Sequence, residues 1–180
     1  MIRFTKGNML EADVEALVNT VNTKGVMGKG IALQFKKAFP DVFSKYKKAC
    51  DIGEMQIGKV YVCERSDNRC HYIIHFPTKN DWKKPSKIEY IKLGLESLLE
   101  AVQQYKIRSI AIPALGCGQG GLKWERVLPL IQAAFDQVPD VDVILYPPQD
   151  APASHRMPDA TERPRMTLGR AMVLKLLKQL

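Results

Sequence analysis

Two glycine-rich segments of this 180-residue chain have the composition of phosphate-binding loops. The first glycine loop, Gly25–Gly30, follows an apolar run whose end carries Asn19 and Asn22, and it leads into an amphipathic helical pattern. The second glycine loop, Gly116–Gly121, follows the apolar run Ser109–Pro113 and also precedes a helix. Glycine lets the backbone approach a ligand closely, and the unpaired N–H groups at a helix N-terminus favour phosphate. The two loops therefore predict a site that holds both halves of a diphosphate.

The asparagines at the end of the first apolar run are candidates for contact with a sugar. We expect Asn19 and Asn22 to reach ribose hydroxyl groups next to the first glycine loop. This loop has neither the spacing of the dinucleotide fingerprint nor that of the Walker P-loop, so those two sites are excluded. Taken alone the loop is also compatible with a tight turn, but a second loop of the same kind favours a nucleotide pocket.

A lysine follows a buried strand in the middle of the chain. In the segment HFPTKNDW, Lys79 leaves this strand through Pro77 and should project at the sheet edge beside the first glycine loop. A lysine amine becomes a nucleophile when desolvation or nearby positive charge lowers its pKa. The alternative interpretation is a solvated surface lysine without a chemical role.

The segment directly after Lys79, NDWKKPSK, combines an aromatic ring with several amines. Trp82 lies next to Lys83 and Lys84, and Lys87 follows three residues later. An exposed indole stacks on any base and amines contact phosphates, so this pattern is typical of single-stranded nucleic-acid binding. The alternative is that Trp82 packs on the following helix and the lysines form a solvated run.

Alternating strands and helices must position these residues. Helical patterns cover Ile31–Phe39, Ile88–Val102 and Val127–Phe135, and Ser86 and Glu89 stand at capping-box spacing before the second of them. This alternation predicts a mixed, mostly parallel six-stranded sheet in a three-layer α/β/α sandwich, with ligands outside the carboxyl ends of the strands. The predicted strands are Ile2–Thr5, Ala16–Asn19, Lys59–Glu64, Tyr72–Phe76, Ser109–Pro113 and Val141–Tyr146.

The composition predicts one folded domain followed by a tail. Residues 1–148 hold all the predicted strands and form the predicted domain. Residues 149–166 are proline-rich, without aromatic residues or periodicity, and form a predicted linker. Residues 167–180 form a predicted C-terminal helix that either packs back on the domain, binds a partner or starts a further domain.

The net charge, the spacing of cysteine and histidine, and the length of the apolar stretches limit the classes of protein that this sequence fits. The formal net charge of +8 favours a polyanionic partner. The four cysteines include no C-x-x-C pair and the three histidines are scattered, so neither a zinc site nor a disulfide framework is supported. No stretch reaches the roughly 20 apolar residues of a membrane span and no signal pattern opens the chain, so we expect a soluble, cytoplasmic protein without a membrane partner.

The motifs around the two loops resemble those of the macrodomains, a family that binds ADP-ribose. The shared pattern is a strand with VN-x-x-N, a glycine loop, and a later strand with a P-x-x-G-x-G-x-G-like loop, and it covers about residues 1–146. The segments NTVNTKGVMGKGIALQFK, FPTKNDWKKPSK and IPALGCGQGGLKW are most similar to the branch that removes ADP-ribose from thymidine in DNA. The M-G-x-G-I-A motif is also similar to that of the animal glycohydrolases of terminal protein-linked ADP-ribose.

The resemblance implies an activity and its partners. The implied activity is that of a DNA ADP-ribosyl glycohydrolase, which removes ADP-ribose from thymidine in single-stranded DNA and acts as the antitoxin to a DNA ADP-ribosyltransferase toxin. It implies no metal and no cofactor, with ADP-ribose as ligand and product. Two other activities use the same pocket: hydrolysis of protein ADP-ribosyl esters or deacetylation of O-acetyl-ADP-ribose, and non-catalytic binding of ADP-ribose.

The resemblance also implies roles for individual residues. Lys79 acts at the anomeric carbon of the distal ribose, as a nucleophile or a proton donor, and Asn22 holds that ribose or the attacking water. The chain has Gly7-Asn8 where macrodomains commonly have a Gly-Asp whose aspartate recognises the adenine amine, and Gly120 where the animal glycohydrolases have a catalytic aspartate. We expect the Asn8 carbonyl to accept from the adenine amine, and Tyr146 either to stack on adenine or to cap the core. The implied ADP-ribose contacts are Asn8, Met9, Leu10, Asn19, Gly25, Val26, Met27, Gly28, Lys29, Gly30, Ile31, Thr78, Leu115, Gly116, Cys117, Gly118, Gln119, Gly120, Gly121, Leu122 and Tyr146.

Overall fold

The computed structural model describes residues 1–66 and 70–148, together with residues 158–161, 166, 167, 169, 172, 175 and 177. Among the residues described, the helices are too short or too polar to span a bilayer. The strands are β1, Ile2–Phe4; β2, Ala16–Asn22; β3, Tyr61–Glu64; β4, Tyr72–Lys79; β5, Ser109–Pro113; and β6, Asp142–Tyr146. The helices are α1, Gly30–Ala38; α2, Pro40–Asp51; α3, Ile88–Gln104; and α4, Trp124–Phe135, with a 3₁₀ turn at Met9–Glu11.

The strands form a mixed sheet in the order β1-β6-β5-β2-β4-β3. Neighbouring strands run parallel except β3 and β4, which are antiparallel. Parallel neighbours require crossover connections, and α-helices supply them here. The carboxyl ends of β2, β4, β5 and β6 therefore meet at one edge of the sheet, as the sequence predicted.

Helices cover both faces of this sheet. On one face α3 and α4 pack on strand residues that include Val18, Ile74 and Ile112. On the other face α1 and α2 pack on the alternate residues, which include Leu17 and Ile73. Successive side chains of a strand point to opposite faces, so burial on both sides explains the continuous apolar runs. This arrangement is the predicted three-layer α/β/α sandwich.

The sequence pattern did not predict α2, which begins directly after α1. Pro40 is its first residue, where the missing N–H is harmless, and Asp41 places a negative charge in the first turn. Val42, Tyr46 and Ala49 are buried along one face at helical spacing. The predicted helix Ile31–Phe39 corresponds to α1, and α2 is a second helix that begins at Pro40.

Strands β2 and β4 both continue beyond their predicted ends at Asn19 and Phe76. The backbone of Pro77 has no N–H for the ladder, and the register of the two strands shifts between Val21 and Asn22. The shift pairs Asn22 with Lys79 at the carboxyl edge. These two residues therefore end neighbouring strands, where the fold fixes their positions relative to one another.

The predicted capping box at the start of α3 is wrong. Lys87 is the N-cap residue and its side chain makes no capping hydrogen bond. The backbone N–H of Ser86 instead donates to the Gly120 carbonyl at 2.9 Å. A tertiary contact with the second glycine loop has therefore replaced the local cap.

The predicted linker, residues 149–166, and the predicted C-terminal helix, residues 167–180, lie mostly outside the described residues and stay predictions. Asp159 and Ala160 are described, and both contact the end of α1. Asp159 Oδ2 lies 3.3 Å from Lys37 Nζ, and the Ala160 N–H donates to the Lys37 carbonyl at 2.8 Å. This part of the chain after residue 148 therefore returns to the domain.

Gly94 allows α3 to pack directly on the sheet. A Cβ at this position would lie only 2.3 Å from Phe76 Cζ, and Phe76 is fully buried. Helix propensity alone would favour alanine over glycine by about 0.8–1.0 kcal/mol. Overpacking of a close-packed core costs about 1–3 kcal/mol, so steric conflict should exceed the gain in propensity.

We expect Gly94→Ala to lower the free energy of unfolding by about 1–2 kcal/mol, because the added methyl displaces Phe76. Chemical denaturation and thermal melting measure this change. Glu96→Ala, at an exposed position of the same helix, is the matched control and should leave stability nearly unchanged. A more stable Gly94→Ala protein would contradict the tight contact between α3 and β4.

Candidate active site

The carboxyl ends of four strands border a cavity of about 640 Å³. Asn22 of β2, Lys79 of β4, Pro113 of β5 and Tyr146 of β6 all line it, and so do residues of both glycine loops. This volume lies within the range of about 300–1,000 Å³ typical of small-molecule pockets. The cavity therefore occupies the position that the parallel sheet predicted.

Asn22 shapes the first glycine loop through both halves of its amide. Its Nδ2 donates to the Val26 carbonyl at 2.6 Å, and its Oδ1 accepts from the backbone N–H of Lys24 at 2.9 Å. The Tyr46 hydroxyl on α2 donates to the Asn22 carbonyl at 2.7 Å. One hydrogen of Nδ2 remains for a ligand, because an amide group carries two. Asn22 therefore folds the loop, and its contact with a ribose or water stays a prediction.

The first glycine loop leads into α1, whose N-terminus lies at the cavity. Gly28, Lys29, Gly30, Ile31 and Ala32 line the wall, and α1 begins at Gly30. The N-cap residue Lys29 makes no side-chain capping bond, so the first N–H groups of the helix have no local side-chain acceptor. A helix N-terminus in this state attracts anions through its N–H groups and its dipole.

The second glycine loop offers the cavity mainly backbone groups. Gly116, Gly118, Gln119 and Gly120 line the wall. A Cβ at Gly120 would lie 2.2 Å from the Gly116 carbonyl oxygen, so no side chain fits there without moving the loop. This close approach gives a physical reason why no aspartate stands at Gly120. Catalysis in this cavity must use other groups.

Lys79 lies on the wall between the two loops. Its amine donates to the Gln119 carbonyl of the second loop, and its backbone carbonyl accepts from the Thr23 N–H at 3.1 Å. Burial lowers the pKa of Lys79 below its ordinary value, since the charged amine loses solvation. At a given pH, more of this amine is neutral and nucleophilic than in an ordinary surface lysine.

Trp82 and Lys83 form the rim of the cavity. The Trp82 side chain is 52% exposed, so it is not packed beneath the following helix. Lys83 Nζ lies 5.1 Å from the centroid of the Trp82 ring. Lys84 and Lys87 are exposed but do not line the cavity. The rim therefore presents an open aromatic face beside one amine, with two more amines nearby in the chain.

Asn8 and Tyr146 also line the cavity, where the sequence expected adenine contacts. Asn8 Oδ1 accepts from the Leu10 N–H at 3.1 Å, and Asn8 Nδ2 donates to Glu11 Oε1 at 2.9 Å. One acceptor position on Oδ1 remains, because a carbonyl oxygen has two. The predicted contact between Asn8 and an adenine amine is compatible with this arrangement and stays a prediction.

Asn19 lies in the interior of the sheet rather than in the cavity wall. Its Nδ2 is 3.3 Å from His75 Nδ1, and burial lowers the pKa of His75 to about 3. The predicted contact of Asn19 with ribose hydroxyls does not fit this position, since the side chain is fully buried. Other predicted contacts that do not line the wall are Leu10, Gly25, Met27, Leu115, Cys117, Gly121 and Leu122.

Several residues of the wall were missed by sequence reasoning. Pro113 and Ala114 follow the end of β5, and Pro147 and Pro148 follow β6, so position in the sheet could have identified them. Thr20 and Val21 lie in the part of β2 beyond its predicted end, and Ala32 and Gln34 lie near the start of α1. The missed wall residues are Gly7, Thr20, Val21, Ala32, Gln34, Pro113, Ala114, Pro147 and Pro148.

The charged side chains on the described wall are all positive. They belong to Lys29, Lys79 and Lys83, and no aspartate or glutamate lines the cavity. Across the described residues, His, Cys, Asp and Glu side chains form no group of three that could hold a metal ion. The wall thus combines lysines and backbone N–H groups, which suits an anionic ligand such as a diphosphate.

Comparison with known proteins identifies the family. The family model described as Macro domain matches residues 18–131. The chain belongs to the macrodomains. This confirms the resemblance of the glycine-loop motifs, and the three-layer sandwich is the macrodomain fold.

Relatives of this macrodomain share about half of its residues. A DNA ADP-ribosyl glycohydrolase of Thermus aquaticus is 50% identical over 177 residues, covering 98% of this chain and 49% of the relative. The solved macrodomain of Mycobacterium tuberculosis DarG is 51% identical with a TM-score of 0.82, covering 83% of this chain and 99% of the other. The macrodomain spans about half the length of the curated relatives it matches.

The structure of a third relative contains a bound ligand. Thermosipho africanus DarTG, solved in complex with ADP-ribose, is 35% identical with a TM-score of 0.78, covering 87% of this macrodomain and 44% of that chain. The relative from this organism is described as a fusion of DNA ADP-ribosyl transferase and DNA ADP-ribosyl glycohydrolase. The glycohydrolase name therefore recurs among relatives at 34–50% identity.

Proposed function

We propose that this macrodomain is a DNA ADP-ribosyl glycohydrolase that removes ADP-ribose from thymidine in single-stranded DNA. The observation that carries the proposal is the position of Lys79, a partly buried amine of lowered pKa between the two glycine loops. The names of the relatives from Thermus aquaticus and Mycobacterium tuberculosis support the same activity. The reaction needs no metal in this proposal, and ADP-ribose is its product.

The two glycine loops bind the diphosphate of ADP-ribose. The N-terminus of α1 and the backbone of Gly116–Gly121 supply N–H donors, and Lys29 adds a positive charge. Backbone donors fixed by the fold need no reorganisation when the ligand arrives. This grip places the distal ribose beside Lys79 and Asn22, which end adjacent strands.

Lys79 supplies the nucleophile of the first step. Its neutral Nζ forms a bond to the anomeric carbon of the distal ribose while the bond from that carbon to the thymine nitrogen breaks. The electron pair of the broken bond passes to thymine, which takes up a proton as it leaves, and Nζ gives up a proton. Nζ then takes up a proton, and water bonds to the anomeric carbon and loses a proton as the bond from that carbon to Nζ breaks, which releases ADP-ribose and restores the neutral lysine.

The rim of Trp82 and Lys83 receives the DNA strand next to the modified base. A half-exposed indole stacks on a neighbouring base whatever its identity, and the Lys83 amine meets a backbone phosphate. The formal net charge of +8 favours such a polyanion over an acidic peptide of low charge. The macrodomain thus binds the strand around the modification through base stacking and a phosphate contact, neither of which depends on the identity of the neighbouring base.

The reaction would neutralise a DNA ADP-ribosyltransferase toxin by reversing its product. The fused transferase and glycohydrolase of Thermosipho africanus support this pairing, because both activities are named in one chain. We therefore propose that the partner of this macrodomain is a transferase that modifies thymidine.

Incubation with ADP-ribosylated single-stranded oligonucleotide should release free ADP-ribose, measured by chromatography. Lys79→Ala should slow release by about 10³-fold or more, since it removes the nucleophile, while calorimetry finds ADP-ribose binding nearly intact. Lys79→Arg is the matched control, because it keeps the positive charge without a neutral amine and should be equally inactive. Full activity of Lys79→Ala would contradict the mechanism. Faster release from ADP-ribosylated glutamate than from the oligonucleotide would contradict the substrate.

The single-turnover rate should rise with pH. Only the neutral form of Lys79 attacks, and burial lowers its pKa, so the rate should level off at a lower pH than an ordinary lysine would give. Rapid-quench measurements over a range of pH test this. A rate that falls as pH rises through the same range would assign Lys79 the role of proton donor instead.

Trp82→Ala should raise the KM for the modified oligonucleotide by roughly 5- to 100-fold, the effect of losing one stacked base. The affinity for free ADP-ribose should change little, because the rim contacts the strand. Phe4→Ala is the matched control, since Phe4 is 51% exposed but lies on β1 at the far edge of the sheet. An equal loss with free ADP-ribose would place Trp82 in the nucleotide site rather than on the DNA path.

A further inference from the structure

The hydroxyl of Ser86 is buried without a hydrogen-bond partner among the described residues. The residue is only 6% exposed. A buried hydroxyl without a partner is unfavourable, because it has left its hydrogen bonds with water behind. A buried polar group without a partner is rare in native proteins and requires a physical explanation.

The Ser86 hydroxyl faces the back of the second glycine loop. The position that a Cβ would take at Gly120 is 2.3 Å from Ser86 Oγ and 2.2 Å from the Gly116 carbonyl oxygen. The two oxygens therefore lie close to the same point, and glycine at position 120 avoids a clash with both. Ser86 contacts the loop but does not line the cavity.

Neither the helix nor the loop forms a hydrogen bond with this hydroxyl among the described residues. Lys87, not Ser86, is the N-cap residue of α3. The backbone N–H of Ser86 already holds the loop through the Gly120 carbonyl at 2.9 Å. The Gly116 carbonyl accepts from the Leu122 N–H at 3.0 Å and keeps one acceptor position.

We propose that Ser86 is a positioning residue for the diphosphate: its hydroxyl donates to the Gly116 carbonyl when the second glycine loop closes on the ligand. A diphosphate that draws the N–H groups of the loop towards itself needs only a small shift to bring the two oxygens into bonding distance. The bond forms in the bound state only, so it strengthens binding of ADP-ribose without stabilising the free protein. This inference rests on the proposed ADP-ribose site.

Ser86→Ala tests the proposal with two measurements: ligand binding should weaken, while the stability of the free protein should not fall. The Kd for ADP-ribose, measured by calorimetry, should rise about five- to tenfold, the loss of roughly one net hydrogen bond. The melting temperature of the free protein should stay the same or rise, because an unsatisfied buried group is removed. The KM for modified oligonucleotide should rise in parallel while kcat stays close to the wild-type value. Ser44→Ala on α2 is the control, since this exposed serine is absent from the cavity wall.

Each other outcome overturns the inference. An unchanged Kd would show that the hydroxyl makes no bond in the complex. A lower melting temperature of the free protein with a weaker Kd would make Ser86 a structural residue of the resting state. Failure of the wild-type protein to bind ADP-ribose would instead contradict the proposed function itself, so the two failures are distinguishable.

Discussion

The pairing of β2 with β4 at the carboxyl edge of the sheet is the constraint on which the whole site depends. The register shift after Val21 places Asn22 opposite Lys79. From this pair the chain leaves in two directions, since Asn22 leads into the first glycine loop and Lys79 leads to the rim at Trp82. Loop, amine and rim therefore share one anchor in the sheet. A slip of one residue between these strands would move all three together.

The cavity recognises its ligand mainly through backbone groups. Gly120 leaves no space for a side chain beside the Gly116 carbonyl, and α1 presents N–H groups that no side chain caps. Backbone donors are positioned by the fold rather than by rotamers, so they are preorganised. This design has a chemical consequence. With lysines as the charged groups of the described wall, the proposed nucleophile is an amine, and burial rather than a neighbouring carboxylate lowers its pKa.

Local motifs allowed much of this site to be predicted from the sequence. The two glycine loops and Lys79 follow strands directly, and strand ends of a parallel sheet converge on one edge. Asn19 was predicted to contact ribose hydroxyls, but its side chain is fully buried inside the sheet and does not line the cavity. Ser86 matched a capping box, but its contact with Gly120 is tertiary and leaves no local pattern. At both positions the tertiary packing, which local sequence spacing does not reveal, determines what the side chain contacts.

In the proposed mechanism, the second glycine loop connects ligand binding to the protonation state of the Lys79 amine. The Gln119 carbonyl accepts from the Lys79 amine, and a carbonyl partner favours the charged form of a lysine. Burial favours the neutral form, so the two influences oppose one another. A movement of the loop that lengthens the Gln119 contact leaves burial dominant and increases the neutral fraction. Gln119 lies between Gly116 and Gly120, and Ser86 lies next to both of these glycines. In the proposed mechanism, the loop that binds the diphosphate is therefore also the loop whose Gln119 carbonyl influences the protonation of Lys79.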